Sequence, residues 1–550
     1  MSHPAGVSCS DRAWLKPWIY LLVCLVWLLP GLTGHDPWKP DEAYGFGLIY
    51  HIVRSGDWVV PTLGGEPFME KPPLYFLTAA LFVHLLSPPL ALHDAARLTS
   101  AFYMAITLLC LAFTARHLYA KERAWPAVMA FVGCFGLLLP AHQILTDLAM
   151  VSGTAMGLLG LAMARSRPVA GGILLGTGAG VGFMSKGLLA PGLLGVTAVA
   201  MLAFPAWRAR GYVRSLGVAA IAVLPWVTIW PFALYRRSPQ LFVEWLWINN
   251  FGRFLGFAPL GPTSEPFFYL LRLPYLAWPA VPFALWTLWR NRLRCLTRAE
   301  LQLPCVFLAV ALGVLSLSSS ARELYALPLL LPIALLAAVE MESLPRRLEG
   351  ALYGLGLGFF ALAACVLWVI WAAVDLGVPA AVAARLTAFQ PGYQPTARPL
   401  ALGFAITISL GWLALMALAR QRPGRALLGW SSGVALAWAL AATLLLPWLN
   451  TGMSYRGMLM SLKRALPAQY RCMESHGLGE PQRALLDYYL GITTHRHETG
   501  GKDACDLILW QGSARENTPW PEGRWRLLWQ GARPGDTKER YWLFQREGAA

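Results

Sequence analysis

Apolar segments long enough to cross a membrane recur along most of the chain. A membrane-spanning helix needs about 20 mostly apolar residues, and thirteen segments come close to this length. They are 14–32, 97–115, 124–140, 148–164, 170–185, 187–205, 216–234, 274–289, 301–317, 324–341, 351–374, 399–419 and 427–446. The pattern predicts a polytopic α-helical membrane protein with about 13 transmembrane helices.

A further apolar segment, 74–91, decides the predicted topology. Its apolar run is short and lies between two Pro-Pro pairs, Pro72-Pro73 and Pro88-Pro89. If this segment does not cross and the N-terminus is cytoplasmic, seventeen Lys and Arg residues fall in short inner loops and eleven in much longer outer stretches. A fourteenth crossing would invert this bias, against the positive-inside rule. We therefore expect 74–91 to lie in the interface or to re-enter, and the C-terminus to be periplasmic.

The last part of the chain differs from the rest. In residues 447–550 the charge rises and the apolar runs shrink to the length of strands, at Asp506–Trp510, Trp525–Trp529 and Tyr541–Phe544. Arg483–Leu490 has the pattern of a helix. The sequence thus predicts a transmembrane domain over 1–446, with a first periplasmic loop over 33–96, and a small periplasmic α/β domain over 447–550.

Composition agrees with a polytopic membrane protein. Of the 550 residues, 57% are hydrophobic and only 13% are charged, whereas soluble proteins carry about 25% charged residues. The net charge of +16 would suit a nucleic-acid ligand. The Lys and Arg residues lie mainly in short clusters between apolar segments, however, as membrane topology requires, so we exclude nucleic acid as a partner.

The positions of the nine cysteines agree with this predicted topology. Cys472 and Cys505 are the only two in the tail, and an oxidising compartment would pair them. Two free thiols remain the alternative, because spacing alone does not establish geometry. The other seven fall in spans or on the inner side: Cys9, Cys24, Cys110, Cys134, Cys295, Cys305 and Cys365.

The first periplasmic loop carries two acidic motifs. Asp41-Glu42 opens a predicted amphipathic helix that ends near Ser55-Gly56, and Asp41 is also placed to cap this helix, a structural alternative. Glu70-Lys71 stands directly before Pro72-Pro73. This second motif is harder to explain as structure, because a rigid Pro-Pro after an acid and a base fixes their direction.

More polar residues fall on the predicted outer face, where they would suit sugar transfer from a lipid phosphate. In such a reaction a carboxylate takes the proton of the attacking hydroxyl, cations stabilise the leaving phosphate, and an apolar groove holds the isoprenoid. We predict Asp41 or Glu70 for the first role and Lys71, Lys186 and Arg322 for the second. Taken singly, such residues are as often solvated ends of spans. The further candidates are Asp147, Arg253 and Tyr325.

The glycine-rich run Gly171–Gly187 resembles a nucleotide-binding loop only superficially. It lacks the GxxxxGK[ST] spacing and lies within an apolar span. Close packing of helices explains its glycines better.

Together these motifs resemble the bacterial GT-C glycosyltransferases of the aminoarabinose transferase and protein-mannosyltransferase group. The resemblance spreads over the membrane region, while the tail is similar only in position and size. The matching residues are Asp41-Glu42-Ala43, residues 55–61 (SGDWVVP), residues 70–75 (EKPPLY), Ala96-Arg97-Leu98, Thr146-Asp147, Ser185-Lys186-Gly187 and Arg253-Phe254.

The resemblance implies an inverting enzyme that takes a sugar from a polyprenyl phosphate on the periplasmic face. It implies that Asp41 is the acidic residue of the first loop, that Asp147 lies in the second outer loop, and that Lys71 and Arg322 lie near the phosphate. From their place on the predicted outer face we add Glu42 and Glu70 as catalytic candidates, and Lys186, Arg253 and Tyr325 as candidates for binding the donor phosphate. Lipid A, another envelope glycan or a protein would be the acceptor, and membrane lipids the surroundings.

The chain departs from the family pattern at three places. Tyr44 stands where these transferases usually have an arginine, and a serine-rich motif that usually carries a lysine here carries Arg322. Asn249-Asn250 replaces a histidine that is implicated, with the residue matching Glu70, in holding a metal. The sequence therefore predicts no certain cofactor and leaves Glu70 as the only matching ligand for a divalent metal.

Three functions compete on this sequence. A glycosyltransferase acting on lipid A, with a protein O-mannosyltransferase-like enzyme as the alternative, explains the acidic first loop. A transporter or flippase of lipid-linked sugars would place charges at the midplane of interrupted spans, whereas the span interiors here carry almost none. A structural assembly subunit would not need the acidic loop.

Overall fold

The computed structural model describes residues 15–258, 265–500 and 505–547. Cys9, Trp14 and the last three residues of the predicted tail domain lie outside them. Within the described ranges, eight helical stretches are long and apolar enough to cross a membrane. They are Leu92–Leu118, Thr146–Met163, Pro168–Lys186, Arg210–Arg237, Ala299–Ser316, Arg346–Asp375, Pro399–Ala419 and Arg425–Ala465.

The remaining predicted spans coincide with shorter or broken helices. Lys121–Val132 and Phe135–His142 form a pair bent by 66°, which makes nine spans if the pair counts as one. Segment 274–289, predicted as one helix, is two helices, Phe268–Leu276 and Ala280–Asn291. The other three predicted spans are the short apolar helices Pro17–Leu28, Leu189–Met201 and Glu323–Ala337. The helical architecture is confirmed, and the number thirteen stays a prediction.

The segment that decides the topology forms a helix of 13 residues, Leu74–Leu86. At 1.5 Å per residue this helix is about 20 Å long, which is shorter than the hydrocarbon core of about 30 Å. Its length fits the prediction that it does not cross.

Close packing accounts for the glycine-rich helix Pro168–Lys186, as expected. A Cβ on Gly178 would lie 2.4 Å from the backbone oxygen of Gly153 on the neighbouring helix Thr146–Met163. On the opposite face, a Cβ on Gly176 would lie 2.4 Å from the backbone oxygen of Ala219. These glycines let three membrane helices approach backbone to backbone, and this packing fixes the helix ends that carry Asp147 and Lys186.

The first loop contains a helix, Asp41–Ser55, which we call the loop helix. It ends at Gly56, whose φ of 69° is readily adopted only by glycine. Its N-cap is Pro40, and no side chain caps it, so the interpretation of Asp41 as the cap is wrong. After the helix come the short antiparallel strands β1 (Thr62–Leu63) and β2 (Glu66–Pro67).

The C-terminal region forms a five-stranded mixed sheet. Its strands are β3 (Met473–His476), β4 (His495–Arg496), β5 (Leu507–Ser513), β6 (Trp525–Gly531) and β7 (Glu539–Arg546). Their order is β4-β3-β5-β7-β6, with β3 parallel to β4 and β5 and the other pairs antiparallel. The three longer strands and the helix Glu480–Leu490 match the predicted segments.

Two details of the tail test the sequence predictions further. The disulfide between Cys472 and Cys505 is present. The predicted boundary at 446/447 falls inside a helix, Leu446–Met453, because the apolar helical run that starts at Arg425 continues past it. The helix Arg456–Ala465 then leads into the sheet.

The tail packs on the loop helix through Glu480–Leu490, which we call the docking helix. A Cβ on Gly47 would lie 2.5 Å from the Cβ of Ala484, so the two helices are in close contact. At the start of the loop helix, Lys39 forms an ion pair with Glu539 on β7. Upstream, Asp36 accepts hydrogen bonds from Ser454 Oγ (2.6 Å) and Tyr489 Oη (2.9 Å).

Candidate active site

The predicted site residues come from separate parts of the chain. Asp41 lies in the first turn of the loop helix, and Glu70-Lys71 follows β2. Asp147 lies in the first turn of Thr146–Met163, and Lys186 is the last residue of Pro168–Lys186. Arg253 begins the short helix Arg253–Leu255. The membrane helices thus present their charged residues at their ends, where charge costs least.

Most of these side chains line one cavity of about 310 Å³, which we call the basic cavity. Three cations, Lys71, Lys186 and Arg253, are in its wall. The rest of the wall is largely apolar. The full lining is Glu70, Lys71, Lys186, Leu188, Leu189, Gly192, Asn249, Asn250, Phe251, Arg253, Phe254, Val314, Leu315, Ser318, Ser320 and Tyr325.

Lys186 is held by Asp147. Its Nζ lies 2.7 Å from both carboxylate oxygens of Asp147, whose side chain is fully buried. The same Nζ lies 4.9 Å from the centroid of the Tyr325 ring, within the range of a cation–π contact. Both oxygens of Asp147 are therefore engaged in positioning a cation.

Arg253 pairs with Glu70 across 183 positions of sequence. Arg253 Nη2 donates to Glu70 Oε2 at 3.0 Å, and Arg253 Nε, which is buried, has no hydrogen-bond partner among the described residues. An unsatisfied buried N–H is costly, so this guanidinium retains a donor for a ligand that reaches it.

Lys71 and Asp41 are connected through Tyr44. Lys71 Nζ donates to Tyr44 Oη, which in turn donates to Asp41 Oδ1 at 2.9 Å. Burial raises the pKa of Tyr44 well above its ordinary value, and the charge of Asp41 adds to this effect, so the phenol stays protonated and keeps donating. Asp41 Oδ2 has no partner among the described residues. Asp41 does not line the basic cavity itself and reaches it through this chain of contacts.

Glu42, predicted to be catalytic, lies in a different environment. Its side chain is fully buried and accepts from Arg97 Nε at 2.7 Å and from the Trp38 backbone N–H at 3.0 Å. Burial alone would raise the pKa of Glu42, but the Arg97 guanidinium holds it below its ordinary value. Arg97 also binds Asp94 at 2.8 Å. Glu42 is thus paired with Arg97 and does not line the basic cavity, and its predicted catalytic role stays a prediction.

Arg322, predicted to bind the phosphate, is not in the wall of the basic cavity. It is exposed and has no ion pair within the described parts of the chain. Tyr325, three residues later, does line the cavity. The structure therefore does not bring Arg322 together with Lys71 in the wall of the basic cavity, where Arg253 is found instead, and a phosphate contact of Arg322 stays a prediction.

A second, larger cavity of about 790 Å³ adjoins the first, and we call it the interdomain cavity. Glu70 and Asn249 line both cavities. Its walls are the first loop (Leu63, Glu66, Pro67, Phe68, Met69, Glu70), the segment after Pro239 (Pro239, Gln240, Val243, Glu244, Ile248, Asn249) and the tail (Glu480, Arg483, Arg496). The sequence offered no signal for it, because its walls are hundreds of residues apart.

The residues around Glu70 do not fit a metal ion. Glu70 binds a guanidinium, and Asn250, near it in the cavity wall, uses its Oδ1 to accept from Leu188 N (3.2 Å) and its Nδ2 to donate to Trp245 O (2.8 Å). Within the described residues, the two groups of side chains close enough to hold a metal both lie in the tail, and one of them contains the disulfide cysteines. The prediction of no certain cofactor stays a prediction, and Glu70 belongs to neither of these two groups.

Tyr44 and Arg97 are the residues whose importance the motifs understated. Tyr44 was noted only as a departure from the family pattern, yet it joins Asp41 to Lys71. Arg97 was only part of a matching motif. A charged residue inside a membrane helix needs a partner, and that rule alone could have linked Arg97 to an acid of the first loop.

Comparisons with known proteins show what the chain is similar to. A curated relative from Pseudomonas aeruginosa (strain UCBPP-PA14), named undecaprenyl phosphate-alpha-4-amino-4-deoxy-L-arabinose arabinosyl transferase, is 29% identical over 458 residues, which is 78% of this chain and 75% of the relative. A transferase of the same name, numbered 1, from Sodalis glossinidius is 28% identical and covers 74% of this chain and 72% of the relative. No family model matches the chain.

The fold is that of a solved transferase. The crystal structure of ArnT from Cupriavidus metallidurans bound to undecaprenyl phosphate superposes with a TM-score of 0.70, at 16% identity, over 96% of this chain and 98% of ArnT. The apo structure of the same protein gives a TM-score of 0.71. These comparisons confirm the resemblance found in the sequence: the chain is a multi-pass membrane glycosyltransferase of the GT-C fold, similar to the aminoarabinose transferases over most of its length.

Proposed function

We propose that the protein transfers 4-amino-4-deoxy-L-arabinose from undecaprenyl phosphate to lipid A. The observation that carries this proposal is the basic cavity, where three cations meet a largely apolar wall. A polyprenyl phosphate has this combination of one anionic group and an isoprenoid chain. The curated relatives named for such a donor support the choice of sugar and carrier.

The cations act on the phosphate. Lys71, Lys186 and Arg253 lie where the donor phosphate would bind, and charge-assisted hydrogen bonds to phosphate are among the strongest in proteins. Negative charge grows on this phosphate as the bond to the sugar breaks. Preorganised donors that stabilise developing charge usually supply the largest share of catalysis.

The transfer is a single displacement at the anomeric carbon of the sugar. A hydroxyl of the acceptor, on a sugar or on a phosphate monoester, forms the new C–O bond while the bond to the carrier phosphate breaks. The hydroxyl proton passes to a carboxylate, undecaprenyl phosphate leaves, and the configuration inverts.

Asp41 is the carboxylate that we assign as the general base. Asp147 uses both oxygens to hold Lys186, and Glu70 is bound by Arg253. Asp41 accepts one hydrogen bond, from Tyr44, and its Oδ2 is free among the described residues. Tyr44 links it to Lys71, so the base and the phosphate ligand are held in one geometry.

The reaction side is assigned to the periplasmic face of the inner membrane, with the N-terminus in the cytoplasm. Two observations support this orientation: the Lys and Arg bias of the loops, and the disulfide in the tail, since disulfides persist in oxidising compartments. A reporter fused after Ala550, outside the described residues, should be active only if the tail is periplasmic. A fusion active only in the cytoplasm would overturn the orientation.

Mass spectrometry of envelope lipids tests the function directly. Cells with the gene should carry lipid A modified by aminoarabinose, and cells without it, or with Asp41→Asn, should accumulate the undecaprenyl phosphate-linked sugar. Unchanged lipid A together with loss of mannose from secreted proteins would instead support the protein O-mannosyltransferase alternative.

A further inference from the structure

The interdomain cavity lies beside the site of sugar transfer. Glu70 and Asn249 stand in the wall of both cavities, so a molecule in the interdomain cavity borders on the bound donor. Its volume of about 790 Å³ falls in the range of about 300–1,000 Å³ that is usual for ligand sites. The C-terminal sheet domain supplies one wall, which has no part in binding the donor.

Two arginines dominate that wall. Arg483 on the docking helix and Arg496 on β4 both point to Glu66 Oε2, at 3.0 and 3.4 Å. Only 5% of the Arg483 side chain is exposed. Three buried nitrogen atoms of these arginines have no hydrogen-bond partner among the described residues. They are Nε and Nη1 of Arg483 and Nε of Arg496.

One carboxylate oxygen does not satisfy two guanidinium groups. Both arginines share Glu66. The other acid close to Arg496 is Glu498, which lies 3.7 Å from it and accepts a hydrogen bond from the Gly477 backbone N–H at 2.7 Å. Guanidinium groups bind phosphate oxygens in a bidentate geometry. A phosphate in this corner would meet the donors that Glu66 leaves unused.

The remaining acids of the cavity suit the hydroxyl groups of a sugar. Glu244 and Glu480 have no ion pair within the described ranges, and ionised carboxylates are acceptors for hydroxyl donors. Burial raises the pKa of Glu480, and the nearby charge of Glu70 raises it further. Past Glu66 and Arg496 a smaller cavity of about 260 Å³ continues, with Thr493, Thr494 and Thr499 in its wall.

We propose that the interdomain cavity binds the phosphorylated sugar head group of the acceptor glycolipid, with Arg483 and Arg496 holding a phosphate and Glu244 and Glu480 accepting from sugar hydroxyls. This proposal rests on the proposed function. It gives the C-terminal domain a defined part in the reaction, which is to select an acceptor that carries phosphate and to hold it next to the donor.

Kinetics on the purified full-length enzyme test the proposal. With bisphosphorylated lipid A as acceptor, Arg483→Ala and Arg496→Ala should each raise the acceptor KM about tenfold or more, as expected for loss of a charge-assisted hydrogen bond, and leave the donor KM unchanged. Arg483→Lys should recover part of the loss. Equal acceptor KM in wild type and both alanine variants would overturn the proposal.

Glu66→Gln separates binding from a merely structural role. If Arg483 serves only to anchor the first loop through Glu66, this variant should fail in the same way as Arg483→Ala. If the arginines bind phosphate, removing their competing carboxylate should leave the acceptor KM unchanged or lower it. A KM raised as much as in Arg483→Ala would overturn the proposal.

A binding measurement keeps this inference distinct from the proposed function. Glucosamine 1-phosphate should raise the thermal unfolding temperature of the wild-type protein, and glucosamine or inorganic phosphate alone should do so less. Arg483→Ala and Arg496→Ala should abolish the difference. If wild type transfers no sugar to lipid A but shows this pattern, the proposed function fails and the site stands. If it transfers sugar without this pattern, the site fails.

Discussion

Asp41 and Glu42 are neighbours in sequence and belong to two different charge clusters. The cavity cluster (Asp41, Tyr44, Lys71, Glu70, Arg253, Asp147, Lys186) has four members in the wall of the basic cavity, and the other three contact those four directly or through Tyr44. It leaves Arg253 Nε and Asp41 Oδ2 without partners among the described residues. In the Arg97 cluster (Glu42, Asp94, Arg97) the fully buried guanidinium is bound on all sides by protein groups. Besides the two carboxylates, it donates to the backbone oxygens of Leu32 (3.0 Å) and His35 (3.1 Å). Acidic and basic residues that are connected to a cavity are thus available for chemistry, whereas those buried away from a cavity stabilise the fold.

Asp41→Asn should have the largest effect. An amide cannot take up the proton of the acceptor, and general-base catalysis contributes about 10²–10⁴-fold, so kcat should fall by that factor. The variant should unfold at the wild-type temperature in detergent, because Asp41 caps no helix. Turnover near the wild-type value in the purified variant would remove Asp41 from the mechanism.

Arg97→Ala should chiefly cost stability. Breaking a buried ion pair leaves an uncompensated charge and lowers the free energy of unfolding by about 3–5 kcal/mol. Thermal unfolding in detergent measures this loss. Arg116→Ala, which removes an exposed arginine of the same helix, is the matched control.

Glu42→Gln should likewise lower stability and keep activity per folded molecule. Wild-type stability with lost turnover in Glu42→Gln would place Glu42 in the chemistry after all.

The Lys186–Asp147 pair has a feature of each cluster, because Asp147 is fully buried and Lys186 lines the basic cavity. Lys186→Met should destabilise the protein because it leaves the fully buried Asp147 unpaired. The double variant with Asp147→Asn should regain much of the stability and still bind the donor poorly, since the cation is lost. Recovery of both properties would mean that the pair is structural only.

The sequence predicted the positions of the helices better than it predicted which charged side chains form pairs. Hydrophobic segments are local features, and eight of the thirteen predicted spans coincide with helices in the described residues that are long and apolar enough to cross a membrane. Lys186 and Asp147 are 39 positions apart, and Arg253 and Glu70 are 183 apart, so only packing could pair them. Nothing in the pair Asp41-Glu42 indicated that one carboxylate would be buried against Arg97. Arg322 was also predicted to contact the phosphate, but its side chain is exposed and does not line the basic cavity, and sequence position alone could not show this.

Glu539→Gln should have a smaller effect on catalysis. Glu539 accepts from Tyr455 and Tyr541 at 2.9 Å and pairs with Lys39, two residues before Asp41. Loss of this charge-assisted bond, of about 1.5–3 kcal/mol, should loosen the start of the loop helix. We expect a several-fold lower kcat and an unchanged donor KM. Glu522→Gln, exposed in the same domain, is the control, and an effect equal to that of Glu539→Gln would argue against a positioning role.

The central claim is that the basic cavity binds the phosphate of the lipid carrier, and the affinity of the purified protein for undecaprenyl phosphate tests it most directly. Removing a cation that touches phosphate should cost about 2–3 kcal/mol, so Arg253→Ala should weaken binding roughly thirty- to hundredfold. Arg322→Ala, which removes an arginine outside the cavity wall, should change the Kd by less than about threefold, as is usual for surface substitutions. Equal affinities of the Arg253→Ala variant and the wild type, or a larger loss in Arg322→Ala, would contradict the account.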